Sequence, residues 1–514
     1  MGGMKLLRIC LLAVFGSACA GEYSESLIHP NAAGVCEWNR NAKWFMYAPS
    51  FGFTNVPGVA TYHFKVRDEK GSVFTYEAKT PVVSLLDCWE RLSVGFVTVG
   101  CEAGARRFWK AAPFRQGAYP PAARSYRDAA RMVYEYVYNM KETKYLAETG
   151  RPDASYELNT YVSKMFSALI RAMIRYAELD PSKKAAAYDV ARKAAEHLIR
   201  KGEPADAPLA YFPPTYDGRG EKDNGYVAEK FKGQIMLCYP ASVANAYIAL
   251  SKALGEKRYL DEAEKIAATY LKLQGADGTW YLKMWAKDGK PVTNNRLIPV
   301  DNVMSLFENL YAETGKAEYR VAADRAFKSV EGRLDDWNWE GQFEDVRPTA
   351  RYVNLTKHPA CSTAIYLGTR YPGDARRRAQ MREIVRFAED QFVCWENPYK
   401  GRGMKVWDTT YDEWIVPAAL EQYNCYHPID ASAAKIIRTY LALYKSEKNP
   451  VYLAKARALG DTATRVQCPD GRLPTWWWPQ RARHVYADWV NCMIASAIAL
   501  EELAAYDGEH AETR

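Results

Sequence analysis

Histidine is scarce in this chain, at seven in 514 residues, and no two stand at a spacing that pairs metal ligands. A histidine-based zinc site is therefore not expected. No Gly-rich phosphate loop, G-x-S-x-G elbow or acidic calcium loop occurs, which removes the usual nucleotide, serine-hydrolase and calcium signatures. No cofactor or metal is called for by any motif. Beyond the first twenty residues no apolar run is long enough to span a bilayer. There is no C-x-x-C pair, and of 11 cysteines two lie in the N-terminal twenty residues, leaving nine widely spaced ones. An odd number leaves at least one free thiol, and a chain of this length does not need disulfide staples. Charge is not concentrated either: 69 Lys and Arg face 61 Asp and Glu, for a net +8 without a basic tail. That pattern argues against a dedicated nucleic-acid binder and favours an anionic substrate.

What the chain has in excess is aromatic surface, 13% of residues, including 15 Trp and 36 Tyr. It opens on MGGMKLLRICLLAVFGSACA, with Lys5 and Arg8 ahead of an apolar stretch from Ile9 to Phe15 and an A-x-A site at Ala18-Cys19-Ala20. This reads as a signal peptide over 1–20, giving a mature chain from Gly21 exported to a periplasm or beyond the cell. Lipoprotein cleavage before Cys19 is the alternative, disfavoured by Gly16 where a lipobox prefers Leu.

Residues 21–105 read as a small β-sandwich of immunoglobulin or fibronectin type. Trp44–Tyr47, Ala60–Val66, Ser72–Tyr76 and Leu92–Val99 are rich in β-branched and aromatic residues, and Asp68-Glu69-Lys70-Gly71 is a hairpin turn. A Pro-containing linker is expected over 106–123.

From 124 to 514 the periodicity becomes helical and repeats. Tyr259-Leu260-x-x-Ala263 is followed by Gln274 and Asp277-Gly278; Tyr452-Leu453-x-x-Ala456 is followed by Gln467 and Asp470-Gly471 at the same offsets. Tyr319 with Ala323 is a weaker copy. About twelve helices follow, alternating between apolar ones rich in small residues and ones rich in Lys, Arg and Glu. The alternation predicts an inner and an outer ring, an (α/α)6 toroid, with an open solenoid of helical pairs as the other arrangement. Inner-to-outer turns are short. Outer-to-inner connections are long (202–239, 275–299, 334–358, 393–429 and 468–488) and fall on one face, where long ordered loops signal function. They carry Trp280, Trp285, Trp337, Trp339, Trp395, Trp407, Trp414 and Trp476 to Trp478, of which about half are expected only to pack the loops together. Trp280, Trp285, Trp414 and Tyr239, at the end of one loop, are the candidate sugar-stacking residues.

Candidate chemistry gathers at the starts of the inner helices. Asp301 and Asp430 each open one, in the position of an N-cap. The loop from Trp414 adds Glu421, Tyr423, Asn424, Tyr426 and His427. Glu344 lies in WEGQFEDVRP with Arg347 close behind and Arg351 beyond it, two guanidinium groups suited to a substrate carboxylate. Glycoside hydrolysis needs two carboxylates, which Asp301, Asp430, Glu421 and Glu344 could supply. Tyr426 and His427 would instead suit a lyase or epimerase that removes the C5 proton of a uronate. Asp277-Gly278 and Asp470-Gly471 are read as turns.

Asp301, Met304 and Thr314-Gly315 with Tyr319 resemble the catalytic-Asp segment of the unsaturated uronyl hydrolases, glycoside hydrolase families 88 and 105. The resemblance covers about a twentieth of the chain and implies an Asp that serves as general acid and base on a uronic sugar. The chain departs from those families in its N-terminal β-domain and in lacking a clear second Asp motif. The overall arrangement is also similar to the β-glucuronidases of glycoside hydrolase family 154. The resulting expectation is an exported hydrolase of uronic-acid glycosides acting on an acidic oligosaccharide or polysaccharide. A lyase or epimerase, and a glycan-binding protein without catalysis, are the two alternatives.

Overall fold

The structure is a computed structural model that describes residues 50–53, 56–93, 95–114, 119–217, 231–332, 334, 339–342, 356–395, 404–406, 409–411, 415–422, 425–478 and 488–507. The chain divides into two compact units, with the boundary between Gly117 and Ala118.

The first unit is built on alternation. In β2 (Tyr62–Asp68) every second residue is buried, so Tyr62, Phe64 and Val66 form one face while His63, Lys65 and Arg67 form the other. β2 lies between β3 (Val73–Ala78) and β5 (Gly95–Ala103), and β5 pairs in turn with β6 (Arg106–Phe114), giving an antiparallel sheet in the order β3-β2-β5-β6. A two-stranded pair, β1 (Ser50–Gly52) with β4 (Val82–Ser84), completes it. The described residues thus hold one four-stranded sheet and one pair rather than two full sheets. Residues 106–114, assigned to a linker from their sequence, form an edge strand in register with β5 from Ala103↔Arg106 to Gly95↔Phe114. The segment Trp44–Tyr47 lies outside the described residues.

The second unit holds thirteen helices among the described residues: α1 (Tyr126–Asn139), α2 (Lys141–Thr149), α3 (Val162–Leu179), α4 (Lys184–Lys201), α5 (Tyr239–Leu254), α6 (Lys257–Leu273), α7 (Val303–Thr314), α8 (Ala317–Glu331), α9 (Lys357–Arg370), α10 (Ala375–Phe392), α11 (Asp430–Glu447), α12 (Pro450–Val466) and α13 (Val490–Ala504). Six of them, α3, α5, α7, α9, α11 and α13, are the apolar inner helices. α3 packs on α5, α5 on α7, α9 on α11, α11 on α13 and α13 back on α3. Between α7 and α9 the join is made by side chains, with Tyr366 Oη donating to Glu308 at 3.2 Å. The ring is therefore closed, as the alternating pattern predicted. Small residues make this possible: Ala241, Ala244 and Ala246 on α5 and Ala433 and Ala434 on α11 are buried and allow close helix approach. The outer helices α1, α4, α6, α8, α10 and α12 each pack against an inner partner.

The repeated Gln and Asp-Gly now have a physical reason. Gln274 Nε2 donates to the carbonyls of Gly278 (2.9 Å) and Ala322 (3.0 Å), tying the end of α6 to α8. Gln467 Nε2 does the same to Gly471 (3.0 Å) and Ala129 (2.9 Å), tying α12 to α1 across the seam of the ring. Gly278 and Gly471 sit at φ +83° and +92°, and a Cβ there would stand 2.2 Å from Arg325 O and 2.4 Å from Met132 O. Only glycine fits a turn pressed so closely on the next outer helix.

The long loops lace together over the N-terminal ends of the inner helices. β7 (Gln234–Met236) pairs with β8 (Lys283–Trp285). Ile298 N donates to Gln342 Oε1, and the Thr356 hydroxyl and Lys357 Nζ both donate to Glu421 O. Trp477 N donates to Pro428 O, and Tyr156 Oη donates to Asp488 O. Seven of the ten loop tryptophans are described, and Trp280, Trp339, Trp395, Trp476, Trp477 and Trp478 are buried, leaving Trp285 half-buried. Packing takes more of them than the expected half. All seven cysteines for which side chains are described are free.

Candidate active site

Asp301 does not cap its helix. The cap position of α7 is Asn302, and Asp301, one residue earlier, turns its carboxylate into the ring. There Oδ2 meets His358 Nε2 at 2.7 Å, and Lys435 Nζ reaches Oδ1 at 3.2 Å and Oδ2 at 3.1 Å. His358 is placed by the opening turn of α9, where the Thr356 side chain caps the helix by accepting from His358 N. Lys435 comes from the second turn of α11 and also donates to Ser362 Oγ at 3.0 Å. Three inner helices thus deliver four side chains to one place. Asp301 and His358 are enclosed by the ring, yet their side chains are 38% and 47% accessible, while Lys435 is 8%. They therefore line an open basin within the ring.

The charges of this cluster are fixed by one another. Burial alone would raise the Asp301 pKa, but Lys435 and the His358 hydrogen bond hold it well below the ordinary carboxylate range. His358 is pushed down to about 4 by burial and by Lys435, against the pull of Asp301. At neutral pH the pair is an ionised Asp301 and a neutral imidazole. A carboxylate can only accept, so Nε2 carries the imidazole proton and Nδ1 keeps a lone pair. Nδ1 has no hydrogen-bond partner among the described residues. The arrangement is a base held in one tautomer by a carboxylate, the form needed for proton abstraction.

Asp430 is placed differently. It is the first residue of α11, not its cap, and is fully buried. Its Oδ1 accepts from Ala431 N at 2.7 Å, and Oδ2 has no hydrogen-bond partner among the described residues. Burial, with Asp488 adding to it, lifts its pKa well above the usual value and favours the protonated form. It makes no hydrogen bond or ion pair to Asp301. Glu421 contributes its backbone carbonyl, which anchors β9 (Ala418–Gln422) to the start of α9. Tyr426 and His427 lie on β10 (Cys425–Pro428), which pairs with β9; their side chains, and Tyr423, Asn424, Glu344, Arg347, Arg351 and Trp414, lie outside what the structure describes. Trp280 is a core residue rather than a stacking surface: it is 1% exposed, and its Nε1 donates to Tyr270 O at 2.9 Å. Trp285 is half-buried at the end of β8.

Tyr239 stands at the start of α5 in an aromatic group that sequence patterns did not single out. Lys164 Nζ lies 4.6 Å from the Trp489 ring centre, 5.4 Å from that of Tyr161 and 5.9 Å from that of Tyr239. Tyr161 and Trp489 rings are 5.1 Å apart. The starts of α3, α5 and α13 thus carry a cationic and aromatic rim. A separate cleft of about 760 Å³, lined by Glu135, Glu142, Asp470, Arg472 and Asp488, contains none of the candidate residues.

His358, Lys435 and Ser362 were not singled out from the sequence. The available signal was a lysine in an apolar, alanine-rich helix, where charge is rare unless paired.

No protein-family profile matches the chain, and no curated protein matches it in sequence. Its fold is similar to solved structures at low identity. A family 76 glycoside hydrolase from a bovine Bacteroides thetaiotaomicron strain is 13% identical with a TM-score of 0.49, over 90% of this chain and 98% of that one. A D-mannose isomerase is 13% identical with a TM-score of 0.49, over 76% and 100%. Cellobiose 2-epimerase from Spirochaeta thermophila is 14% identical with a TM-score of 0.49, over 74% and 98%.

Proposed function

We propose that this protein is an exported carbohydrate-active enzyme acting on a uronic-acid-containing glycan, with His358 as the base that takes the proton from C5. The observation that carries the reading is the Asp301–His358 pair beside Lys435, an oriented neutral imidazole with an open Nδ1 in an accessible basin. The C5–H bond breaks, its proton passes to Nδ1, and its electron pair moves into the adjacent carboxyl group as an enediolate. Asp301 stabilises the imidazolium, and Lys435 supplies positive charge near the enediolate. From that intermediate, expulsion of the C4 oxygen is elimination, and return of a proton to the other face is epimerisation. The resemblance around Asp301 and the aromatic rim with Lys164 support an acidic sugar as ligand. The basin has no second carboxylate bonded to Asp301 among the described residues, which counts against hydrolysis by a carboxylate pair.

Hydrolysis is retained as a second reading on one observation. Burial at the start of α11 raises the Asp430 pKa and so favours the protonated state that a general acid requires.

The test is incubation with polyuronates in deuterium oxide. Deuterium appearing at C5, or new ultraviolet absorbance from an unsaturated product, is expected, and His358→Asn should lower either rate by about 10²- to 10⁴-fold. Reducing sugar released without either signal would sink proton abstraction and leave hydrolysis standing.

A further inference from the structure

Four cationic side chains from two inner helices enter the ring interior: Arg171 and Arg175 on α3, and Lys435 and Arg438 on α11. Three have a carboxylate. Lys435 pairs with Asp301 at 3.1 Å, Arg175 with Glu501 at 2.9 Å and Arg438 with Glu502 at 2.9 Å. Arg171 has no hydrogen bond or ion pair among the described residues. Its Nε is buried without a partner, whereas its two Nη atoms are not fully covered and have no partner among the described residues, so the forked end of the guanidinium is the part left for a ligand. Helical side chains lean toward the N-terminus of their helix. For α3 that is the basin end, so the fork reaches toward Asp301, which supports its charge while burial and Arg438 oppose it.

A guanidinium does not shed its proton in a protein, so this charge persists with no carboxylate bonded to it among the described residues, Asp301 acting on it only from a distance. A structural role does not account for it. Leu or Met fills such a place without the desolvation cost, and the other three cations named above each have a carboxylate. The missing partner is an anion that arrives from outside.

We infer that Arg171 receives the carboxylate of the bound sugar, through the two-pronged hydrogen bonding that a guanidinium offers a planar carboxylate. The inference rests on the basin being the sugar site proposed above. It makes Arg171 a specificity-determining residue: it selects acidic over neutral or esterified sugars. It also places the carboxylate where positive charge from Arg171 and Lys435 meets the group that must accept electrons from C5.

The test is calorimetric binding of D-glucuronate and D-galacturonate to the full chain at low salt, with their methyl esters and inorganic sulfate as comparators. Arg171→Met should weaken uronate binding by roughly 10- to 100-fold, the loss typical of a charged hydrogen bond, with Arg171→Lys between. Ester binding should be equally weak in all three proteins, and the melting temperature of Arg171→Met should equal or exceed that of the parent. Unchanged uronate affinity in Arg171→Met overturns the inference. So does a parent protein that binds ester or sulfate as tightly as uronate, or a fall in melting temperature that Arg171→Lys restores. Uronate binding that depends on Arg171, in a protein whose turnover survives His358→Asn, would fell the proposed chemistry and leave this inference intact. A parent protein that binds no uronate fells both.

Discussion

Lys435 controls the basin more than any residue beside it, and its removal gives a signed result. It touches both oxygens of Asp301 and is, after burial, the second influence that lowers the pKa of His358. Replacing it with Met removes a positive charge near the imidazole, so the imidazolium becomes easier to form. A neighbouring charge within a few ångströms moves a titration by about one to two pH units. His358 should therefore titrate between roughly 5 and 6 in Lys435→Met instead of at about 4. Asp301→Asn works in the opposite sense, because Asp301 supports the imidazolium; its loss should drive the midpoint below 4. The assay is NMR of histidine labelled with ¹³C at Cε1. The seven histidines give a resolvable set, and His358→Asn assigns the resonance. No substrate is required, so the outcome is independent of the reaction. A midpoint that stays near 4 in Lys435→Met, or one that rises in Asp301→Asn, would refute the electrostatic account. The stability profile follows with a definite sign. Folded His358 titrates below its unfolded value of about 6.5, so the unfolded chain binds more protons between about 4 and 6.5. Stability is gained as pH rises through that window and lost as it falls, and Lys435→Met narrows the window.

Two further outcomes are expected. Gly278→Ala and Gly471→Ala should each cost about 2–4 kcal/mol in chemical denaturation, from a left-handed backbone and a clash with a carbonyl, and Gln467→Leu, which removes both hydrogen bonds at the seam, should cost about 1–3 kcal/mol; unchanged midpoints would mean the turns are not pressed as described. Asp430→Asn should alter stability by less than about 1 kcal/mol near neutral pH, because burial favours the uncharged form that Asn mimics. Since the folded pKa of Asp430 is raised, its contribution is present at low pH and lost as pH rises, and the Asn variant should lack that decline; full turnover in it would remove the hydrolytic reading.

The ring was legible because its causes are local. Small residues against charged ones marked inner and outer helices, and the repeated Gln and Asp-Gly marked the repeat and its turns, though not the bond that each Gln makes to the next outer helix. The site was only half legible. Asp301 drew notice through the residues around it, but its partners come from helices 57 and 134 residues away in sequence, and no spacing rule links positions joined only by closure of the ring. Asp430 looked equivalent because it opens the same kind of helix, yet its carboxyl is buried where that of Asp301 is wetted. Trp280 shows the same limit: aromatic content does not distinguish a surface for sugar from a plug for the core. The edge strand at 106–114 was missed because Pro113 suggested a linker, although proline is tolerated on an edge.

The Gln467 bond to Ala129 has a consequence for how the molecule comes apart. An open array of helical pairs frays from its ends, and its terminal units need polar caps. Here the last outer helix holds the first, so no pair is terminal and none can peel away alone. Loss of any one hairpin breaks two interfaces rather than one. Unfolding should therefore begin where α13 packs on α1, the join between the two ends of the unit that no connection of the chain spans, and the Gln467 bond to α1 beside it helps to hold that join shut.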